Sequence, residues 1–489
     1  MLSHLPILPV ILPLLAAPSC LLLGRPRLAA GFALAVSAAV LAMSVLLWQQ
    51  VVSTGVWNYP LGGWQAPWGI EYRIDAASAM MMVLVSAMAF VVLVAAPTSL
   101  SRELADERQT PFYILYLLVL AGSLGIVATG DAFNLFVFLE ISSLATYALI
   151  ALGRDRRALW AAYQYLILGT LGATFILIGV GLLYMMTGTL NMADLAARLP
   201  AVESTRTIYT AFVFILVGAC LKLALFPLHL WLPGAYACAP SVVSAFLAAT
   251  ATKVAVYVLL RFIYSIFGDF FSFTHLPLQT SLLVLGVLGA IAASIAAIYQ
   301  FSVKRLFAYS SVAQVGYLII GIATASATGL LATLLHLVNH ALMKGALFLA
   351  LAAVAYQMGH TRMNQFAGLG RRMPWTMAAI VIGGLSLVGI PGTVGFVSKW
   401  YLVLALFERE WWLAAVAVLV GSLLALIYLW KVVEQAYFVE ADGPSGEAPL
   451  AILLPTWLLV IGNIYLGIDT RWTMGAAEAA VVALMGVAP

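Results

Sequence analysis

The sequence predicts an all-α polytopic membrane protein with about fourteen transmembrane helices. Of its 489 residues, 64% are hydrophobic and only 9% are charged, and the mean hydropathy is +1.06. A soluble globular chain carries about a quarter charged residues, so an ordinary soluble enzyme is excluded. Each crossing needs roughly 20 apolar residues. Fourteen crossings therefore use nearly the whole chain and predict one integral membrane domain, 1–489.

Fourteen apolar segments follow one another along the chain. Arg25 and Arg27 follow the first segment, whereas a cleaved signal peptide has its basic residues before the apolar run. We therefore expect the first segment to remain as helix 1. The segments are 5–24, 28–49, 75–97, 111–129, 132–152, 161–187, 208–232, 241–265, 279–300, 303–325, 328–357, 374–405, 411–438 and 449–467.

The longest connection between these segments lies near the N-terminus. Helices 1–3 occupy 1–100 and enclose an outer loop, 49–74, whose Trp and Tyr residues suit a membrane interface or a hairpin lying there. The polar stretch 440–448 is expected to be an inner loop. Helix 14 and a C-terminal tail, which could form a short interfacial helix, occupy 449–489.

The distribution of Lys and Arg predicts the orientation in the membrane. With the N-terminus outside, twelve basic residues lie in inner loops and six in outer loops, in agreement with the positive-inside rule. Both termini then lie on the outer face of a bacterial cytoplasmic membrane. The net charge of +4 gives no indication of a nucleic-acid partner. The inner residues are Arg25, Arg27, Arg102, Arg108, Arg154, Arg156, Arg157, Lys304, Arg305, Arg362, Arg371 and Arg372, and the outer ones are Arg73, Arg198, Arg206, Arg261, Arg409 and Arg471.

Several ionisable side chains lie inside the apolar segments, where each costs about 2.5–3.5 kcal/mol at the bilayer centre. This cost indicates a function rather than a packing role. Lys431 is an exception, because polar residues lie nearby and its ammonium could equally reach the interface. The side chains assigned to the membrane interior are Glu140, Lys222, Lys253, Lys344 and Lys399.

Two of these lysines lie beside helix-breaking residues. Pro227 and Pro233 follow Lys222, and Pro391 and Gly392 precede Lys399. Broken transmembrane helices expose backbone groups that are tolerated only against protein or a wet cavity. In transporters such breaks commonly mark the ion path, although a proline kink can also serve packing alone.

The eleventh segment carries His336, His340 and Lys344 on one helix face. A neutral imidazole accepts a proton on one nitrogen and donates from the other, so the face suits a proton relay. The alternatives are histidines bonded into the bundle and a metal or haem site. A metal site is disfavoured, because no carboxylate or cysteine accompanies the histidines and Lys344 would repel a cation.

These residues resemble a known family, the antiporter-like membrane subunits shared by Mrp-type cation/proton antiporters, respiratory complex I and membrane-bound hydrogenases. The resemblance runs from about residue 69 to 438 and is carried by the segments 133–147, 181–195 (GLLYMMTGTLNMADL), 222–257, 304–317 (KRLFAYSSVAQVGY), 336–344 and 389–399. It implies fourteen helices with two inverted five-helix repeats, helices 4–8 (111–265) and 9–13 (279–438), and broken helices 7 and 12.

The resemblance also implies roles for individual residues. Glu140 and Lys222 match the family's glutamate–lysine pair, and Lys253 matches the central lysine of helix 8. His336 and His340 match the polar stretch of helix 11. Lys399 matches the terminal group of helix 12, which is lysine in several members and glutamate in others.

Three functions compete on this basis. The favoured one is a proton-conducting subunit of a multisubunit Na+/proton antiporter, most similar to the D-type subunits of the Mrp group. The alternative is the same module in a complex I-type oxidoreductase or a membrane-bound hydrogenase, without catalytic chemistry of its own. The least favoured is a redox subunit that holds haem or quinone. We expect no cofactor and no metal in this chain, and other membrane subunits, protons, Na+ and the lipid bilayer as its partners.

Overall fold

The computed structural model describes residues 2–274, 276–441 and 446–487. Residues 1, 275, 442–445 and 488–489 lie outside the described residues. Parts of the predicted 1–489 domain, of the 440–448 loop and of the C-terminal tail therefore lie outside them as well.

The described chain is almost entirely helical, with one short hairpin, β1 (Trp57–Pro60) and β2 (Glu71–Ile74). The helices are α1 Leu8–Leu22, α2 Pro26–Thr54, α3 Ala76–Glu103, α4 Asp106–Ala128, α5 Ala132–Ala151, α6 Arg157–Thr187, α7 Met192–Arg198, α8 Arg206–Leu223, α9 Trp231–Cys238, α10 Ser241–Leu260, α11 Gly268–Thr274, α12 Leu278–Ile298, α13 Val303–Ala323, α14 Ala327–Met358, α15 Leu369–Arg372, α16 Pro374–Val388, α17 Val394–Glu408, α18 Trp412–Tyr437, α19 Leu450–Ile468 and α20 Arg471–Met485. A π-helical turn, Arg261–Ile266, continues α10.

Twelve helices within the described residues are long and apolar enough to cross a membrane, and α1 and α16 are shorter apolar helices. The chain is thus a polytopic membrane protein built almost entirely of helices. Three of the twelve, α10 with its π-helical turn, α13 and α14, are buried over almost their whole length. They form the centre. α12 and α18 pack against α13, α6 packs against α5 and α8, and all three of these outer helices expose apolar side chains.

The predicted loop 49–74 begins later than expected, because α2 continues to Thr54. β1 pairs antiparallel with β2. Trp64 and Trp68, in the connection between the strands, are 72% and 91% exposed. β2 leads directly into Asp75, whose carboxylate caps α3 by accepting the backbone N–H of Ser78 at 2.9 Å.

Two basic residues assigned to loops are buried instead. Arg261 lies in the π-helical turn, and its Nη2 lies 2.5 Å from Asp75 Oδ1. Lys304 lies in the first turn of α13 and donates to the carbonyl oxygen of Ala239 at the end of α9, at 2.8 Å. Each cation is buried because it meets a carboxylate or the free carbonyl end of a helix. Without these two, eleven inner basic residues still face five outer ones, and the orientation remains a prediction.

Two membrane segments are interrupted. α8 ends at Leu223 and α9 begins at Trp231, with Pro227 between them. α16 ends at Val388 and α17 begins at Val394, and Pro391 and Gly392 lie in that gap. Here Gly389 has a φ of +92°, which L side chains rarely adopt.

The expectation for Pro233 is wrong in detail. It lies inside the first turn of α9 rather than in the interruption. A proline is tolerated there because the N–H that it lacks would have no partner within the helix. Pro227 alone therefore occupies the first gap.

Candidate functional site

The first polar contact inside the helix bundle joins α5 to α8. Lys222 Nζ lies 3.8 Å from Glu140 Oε1 and donates to Ser143 Oγ at 2.7 Å. Glu140 and Ser143 share one face of α5 because they are three residues apart. The lysine side chain is only 5% exposed and the glutamate 24%. The ammonium is thus held more closely by the hydroxyl than by the carboxylate.

A cavity of about 40 Å³ lies beside Lys222. A buried water molecule needs about 10–15 Å³ of such a cavity, so this cavity has room for about three water molecules. Polar side chains of α5 and α10 supply hydrogen-bonding groups at its wall. These are Ser142, Ser143, Thr146 and Thr250, and Ala251 and Val254 of α10 line it next to them. The cavity therefore extends from Lys222 to the helix that carries Lys253.

Lys253 is fully buried in the middle of α10. Its Nζ donates to the carbonyl oxygen of Ala248 at 2.5 Å. The ammonium is also close enough to both His336 and His340 to interact with them electrostatically. Lys253 thus lies between the cavity at Lys222 and the histidines of α14.

The two histidines of α14 stack on each other, with ring centroids 5.9 Å apart and an angle of 13° between the planes. His336 Nδ1 pairs with Ser398 Oγ of α17 at 2.9 Å. Among the described residues the other three ring nitrogens, His336 Nε2 and both nitrogens of His340, have no hydrogen-bond partner. Buried polar atoms are normally paired, so three unpaired ring nitrogens in one place are exceptional. Such nitrogens can exchange protons with water or with a neighbouring amine.

Two further lysines flank the histidines. Lys344 donates to the carbonyl oxygen of Phe307 at 2.8 Å and to the hydroxyl of Ser310, both on α13. Lys399 donates to the carbonyl oxygens of Leu387 at 2.8 Å and Val388 at 3.0 Å, and to the Ser422 hydroxyl at 2.8 Å.

The interruption explains the partners of Lys399. A helix leaves the carbonyls of its last turn without intrahelical partners, and a cation is stabilised there. Leu387 and Val388 end α16, so the break creates the acceptors that hold the ammonium. Lys431 behaves similarly, because it donates to the carbonyls of Ile298 and Gln300 where α12 ends.

Hydroxyl groups that no sequence pattern indicated, together with the amide of Asn339, complete the site. Ser143, Ser310, Ser398 and Ser422 each contact a lysine or a histidine, although serine is unremarkable in a transmembrane segment. Asn339 Nδ2 donates to the carbonyl oxygen of Val394 at 2.7 Å, where α17 begins. Two of these serines could have been predicted from their position in the sequence, because Ser143 is three residues from Glu140 and Ser398 is next to Lys399.

No metal site is formed within the described ranges, where no three His, Cys, Asp or Glu side chains lie together. Cys20, Cys220 and Cys238 are free thiols. His336 and His340 lie side by side on one helix. They therefore do not face each other across a space in the way that a pair of axial haem ligands would.

Comparison with known proteins identifies the family. The family described as "NADH:quinone oxidoreductase/Mrp antiporter, TM" matches residues 129–425, more than half of the chain, including Glu140, Lys222, Lys253, Lys344 and Lys399. The chain belongs to this family.

Members of both branches of the family are similar to this chain along nearly its whole length. NADH-quinone oxidoreductase subunit N of Desulforudis audaxviator is 45% identical, over 96% of each chain. The D-type subunit of the Na(+)/H(+) antiporter of Alkalihalophilus pseudofirmus is 33% identical, over 95% of this chain and 94% of that one.

Solved structures show the same fold in larger assemblies. A chain of the Mrp complex from Dietzia sp. has a TM-score of 0.89 at 26% identity, covering 99% of this chain and 97% of that chain. A chain of the membrane-bound sulfane sulfur reductase, an archaeal respiratory membrane complex, has a TM-score of 0.89 at 29% identity, with 99% and 98% covered.

Proposed function

We propose that this chain is the proton-conducting subunit of a multisubunit monovalent cation (Na+)/proton antiporter. The observation that carries the proposal is a series of buried basic side chains across the centre of the bundle. Bundles do not retain several uncompensated lysines for packing, because each is costly in the membrane. The series consists of Lys222 with Glu140, then Lys253, His336, His340, Lys344 and Lys399.

The proposed membrane arrangement has fourteen crossings. The twelve long helices are completed by α1 and by α16 and α17, which together make one broken crossing. Helices 4–8 and 9–13 would then form two inverted five-helix repeats, because an interruption falls in the fourth crossing of each. We place both termini on the outer face of a bacterial cytoplasmic membrane, since the inner loops carry more basic residues.

Proton loading would begin at the contact between α5 and α8. Two unit charges 3.8 Å apart interact by about 4 kcal/mol at an effective dielectric constant near 20, equivalent to about a thousandfold change in proton affinity. The hydroxyl of Ser143 holds Lys222 at a shorter distance. A shift of the ammonium away from Glu140 would therefore release its proton to the adjoining cavity.

Transfer would then follow groups that can both accept and donate a proton. A neutral lysine accepts and an ammonium donates, and three nitrogens of the stacked imidazoles have no hydrogen-bond partner in the part of the chain that the structure describes. The route runs from the cavity to Lys253, through His340 and His336, and ends at Lys399 in the interruption of the twelfth crossing. Lys344 lies beside this route on α14 and donates to the carbonyl oxygen of Phe307 on α13.

The sodium route is proposed to lie elsewhere. Na+ is a hard cation that takes several oxygen ligands, and a protonated lysine repels it. Glu140, the one deep carboxylate of the series, faces Lys222. We therefore place the sodium path at an interface with another membrane subunit or within that subunit, so that this chain would exchange ions only as part of a complex.

The test replaces Glu140 by Gln in the intact complex in vesicles. Assembly should be retained, because the amide keeps the size of the side chain, and cation-dependent proton movement should be lost. Glu434→Gln is the matched control, because Glu434 is an exposed carboxylate on α18. Wild-type exchange in Glu140→Gln, or equal losses in both variants, would contradict the proposal.

A second candidate is the same module in a redox-coupled complex. The observation that favours it is the 45% identity to a protein named NADH-quinone oxidoreductase subunit N, higher than the 33% to the D-type antiporter relative. Isolation of the complex in mild detergent separates the two, because flavin- or iron–sulfur-binding subunits would co-purify only in the redox case. Their presence would overturn the antiporter assignment while leaving the proton route intact.

A further inference from the structure

The link between His336 and Lys399 is not a direct hydrogen bond. His336 pairs with the hydroxyl of Ser398, whereas the ammonium of Lys399 turns to the end of α16 and to Ser422 on α18. Tyr317 of α13 occupies the space between them. Its ring centroid lies 4.7 Å from Lys399 Nζ and 6.0 Å from the ring of His336, to which it is nearly perpendicular at 86°.

Close packing encloses the side chain of Tyr317 at this position. The side chain is among the largest that are fully buried. Its hydroxyl lies against Gly421 of α18, where a Cβ atom would approach the hydroxyl oxygen to 2.4 Å. Only a residue without a side chain fits at that distance, so α18 leaves room for the tyrosine.

The charge of Lys399 has no carboxylate to balance it among the described residues, since none of their ion pairs involves this lysine. Its three N–H groups are used on two carbonyls and one hydroxyl, all of them neutral. A ring face within about 6 Å attracts a cation, and the attraction is stronger where water is excluded. The ring of Tyr317 therefore adds a stabilising contact that favours the protonated amine.

The groups that surround Lys399 come from four other helices. The titratable ones are His336 of α14 and Tyr317 of α13. α16 contributes carbonyl oxygens and α18 the Ser422 hydroxyl. Asn463 of α19 accepts a hydrogen bond from Ser386, one residue before the carbonyl of Leu387.

We propose that Tyr317 is a positioning residue, whose ring face holds the protonated ammonium of Lys399 beside His336. The proposal rests on the proposed proton route. It adds the group that sets the pH at which Lys399, the last lysine of that route, takes up a proton. The ring, and not the hydroxyl, performs this role, since the contact to the cation is made by the face of the ring.

The test measures the pH dependence of cation-driven proton movement by the intact complex in vesicles. Tyr317→Leu removes the ring, so Lys399 needs a higher proton concentration to load. The midpoint should move to lower pH by about one unit. Tyr317→Phe keeps the ring face and should keep the midpoint. Tyr113→Leu is the matched control, because Tyr113 is a buried tyrosine of α4 whose ring packs edge-on against Phe112.

A second series keeps the shape of the side chain if Tyr317→Leu fails to fold. Phenylalanines with increasing numbers of ring fluorines at position 317 weaken the ring's attraction for a cation with little change in size. The midpoint should fall progressively with each fluorine. An unchanged midpoint along the series, or a Phe variant that behaves like the Leu variant, would overturn the proposal.

Lys399→Ala separates this inference from the function on which it rests. Loss of transport in Lys399→Ala with an unshifted midpoint in the fluorinated series would reject the role of Tyr317 and leave the proton route standing. Wild-type transport in Lys399→Ala would reject the route itself. In the Lys399→Ala background, removing the ring should have no further effect on the residual rate.

Discussion

The buried pair of Asp75 and Arg261 permits a quantitative prediction of stability. Arg261 Nη2 lies 2.5 Å from Asp75 Oδ1, and its Nε donates to the hydroxyl of Tyr257 at 2.8 Å. The side chain of the arginine is 9% exposed and that of the aspartate 4%. Removing one partner of such a pair leaves an uncompensated buried charge and costs about 3–5 kcal/mol. Arg261→Met should therefore destabilise the chain by about this amount.

The double variant Arg261→Met with Asp75→Asn should recover most of the loss. It leaves no buried charge, and Asn caps a helix about as well as Asp, so the cap on α3 is kept. Replacing both members of a buried pair by neutral groups is often nearly neutral. The recovery measures the coupling between the two side chains, as in a double-mutant cycle.

The assay follows thermal unfolding in detergent with a thiol-reactive dye, because Cys20 and Cys220 are buried and become reactive on unfolding. Arg157→Met is the control: Arg157 faces Asp155 at 4.0 Å on the surface, and such exposed pairs contribute about 0–1 kcal/mol. An unfolding temperature of Arg261→Met that is no lower than that of Arg157→Met would refute the reasoning. A double variant as unstable as the Arg261→Met single variant would refute it as well.

Two further predictions concern the centre of the bundle and the second interruption. Lys253→Ala should block proton uptake and leave the apparent Na+ affinity of any residual exchange unchanged; a many-fold shift in that affinity at constant pH would mean that sodium passes along this chain. Gly395→Ala places a Cβ 1.7 Å from the carbonyl oxygen of Ser386. It should force α16 and α17 apart, destabilise the chain by about 1–3 kcal/mol and abolish transport by displacing Lys399. Gly475→Ala on α20, where a Cβ meets nothing within 4 Å, should leave both quantities unchanged, and equal behaviour of the two glycine variants would refute the close contact.

The membrane segments could be predicted because each depends on nearby sequence alone. A run of about 20 apolar residues crosses a bilayer whatever its neighbours are. The predicted segment 328–357 thus agrees closely with α14, Ala327–Met358. Pro391 and Gly392 indicated an interruption for the same local reason, since neither residue continues a helix well.

Predictions from charge were less reliable at the ends of the helices. Arg261 and Lys304 were assigned to loops because a basic residue beside an apolar run normally meets water. Their partners, Asp75 and the carbonyl of Ala239, are distant in the sequence, and no local pattern brings them together. Pro233 was misplaced because a proline breaks a helix interior but fits its first turn.

Two properties of the chain follow from its residues alone: it is a helical membrane protein, and particular ionisable side chains fall within its apolar segments. Both depend on the cost of taking residues out of water, which is a property of each segment. What those side chains contact depends on the packing of the helices. Whether Lys399 meets a carboxylate, a carbonyl end or the ring of Tyr317 is set by how α13, α16 and α17 are rotated and placed. Helices that are apolar on all sides carry no periodic signal for that rotation, because lipid and protein neighbours are equally apolar.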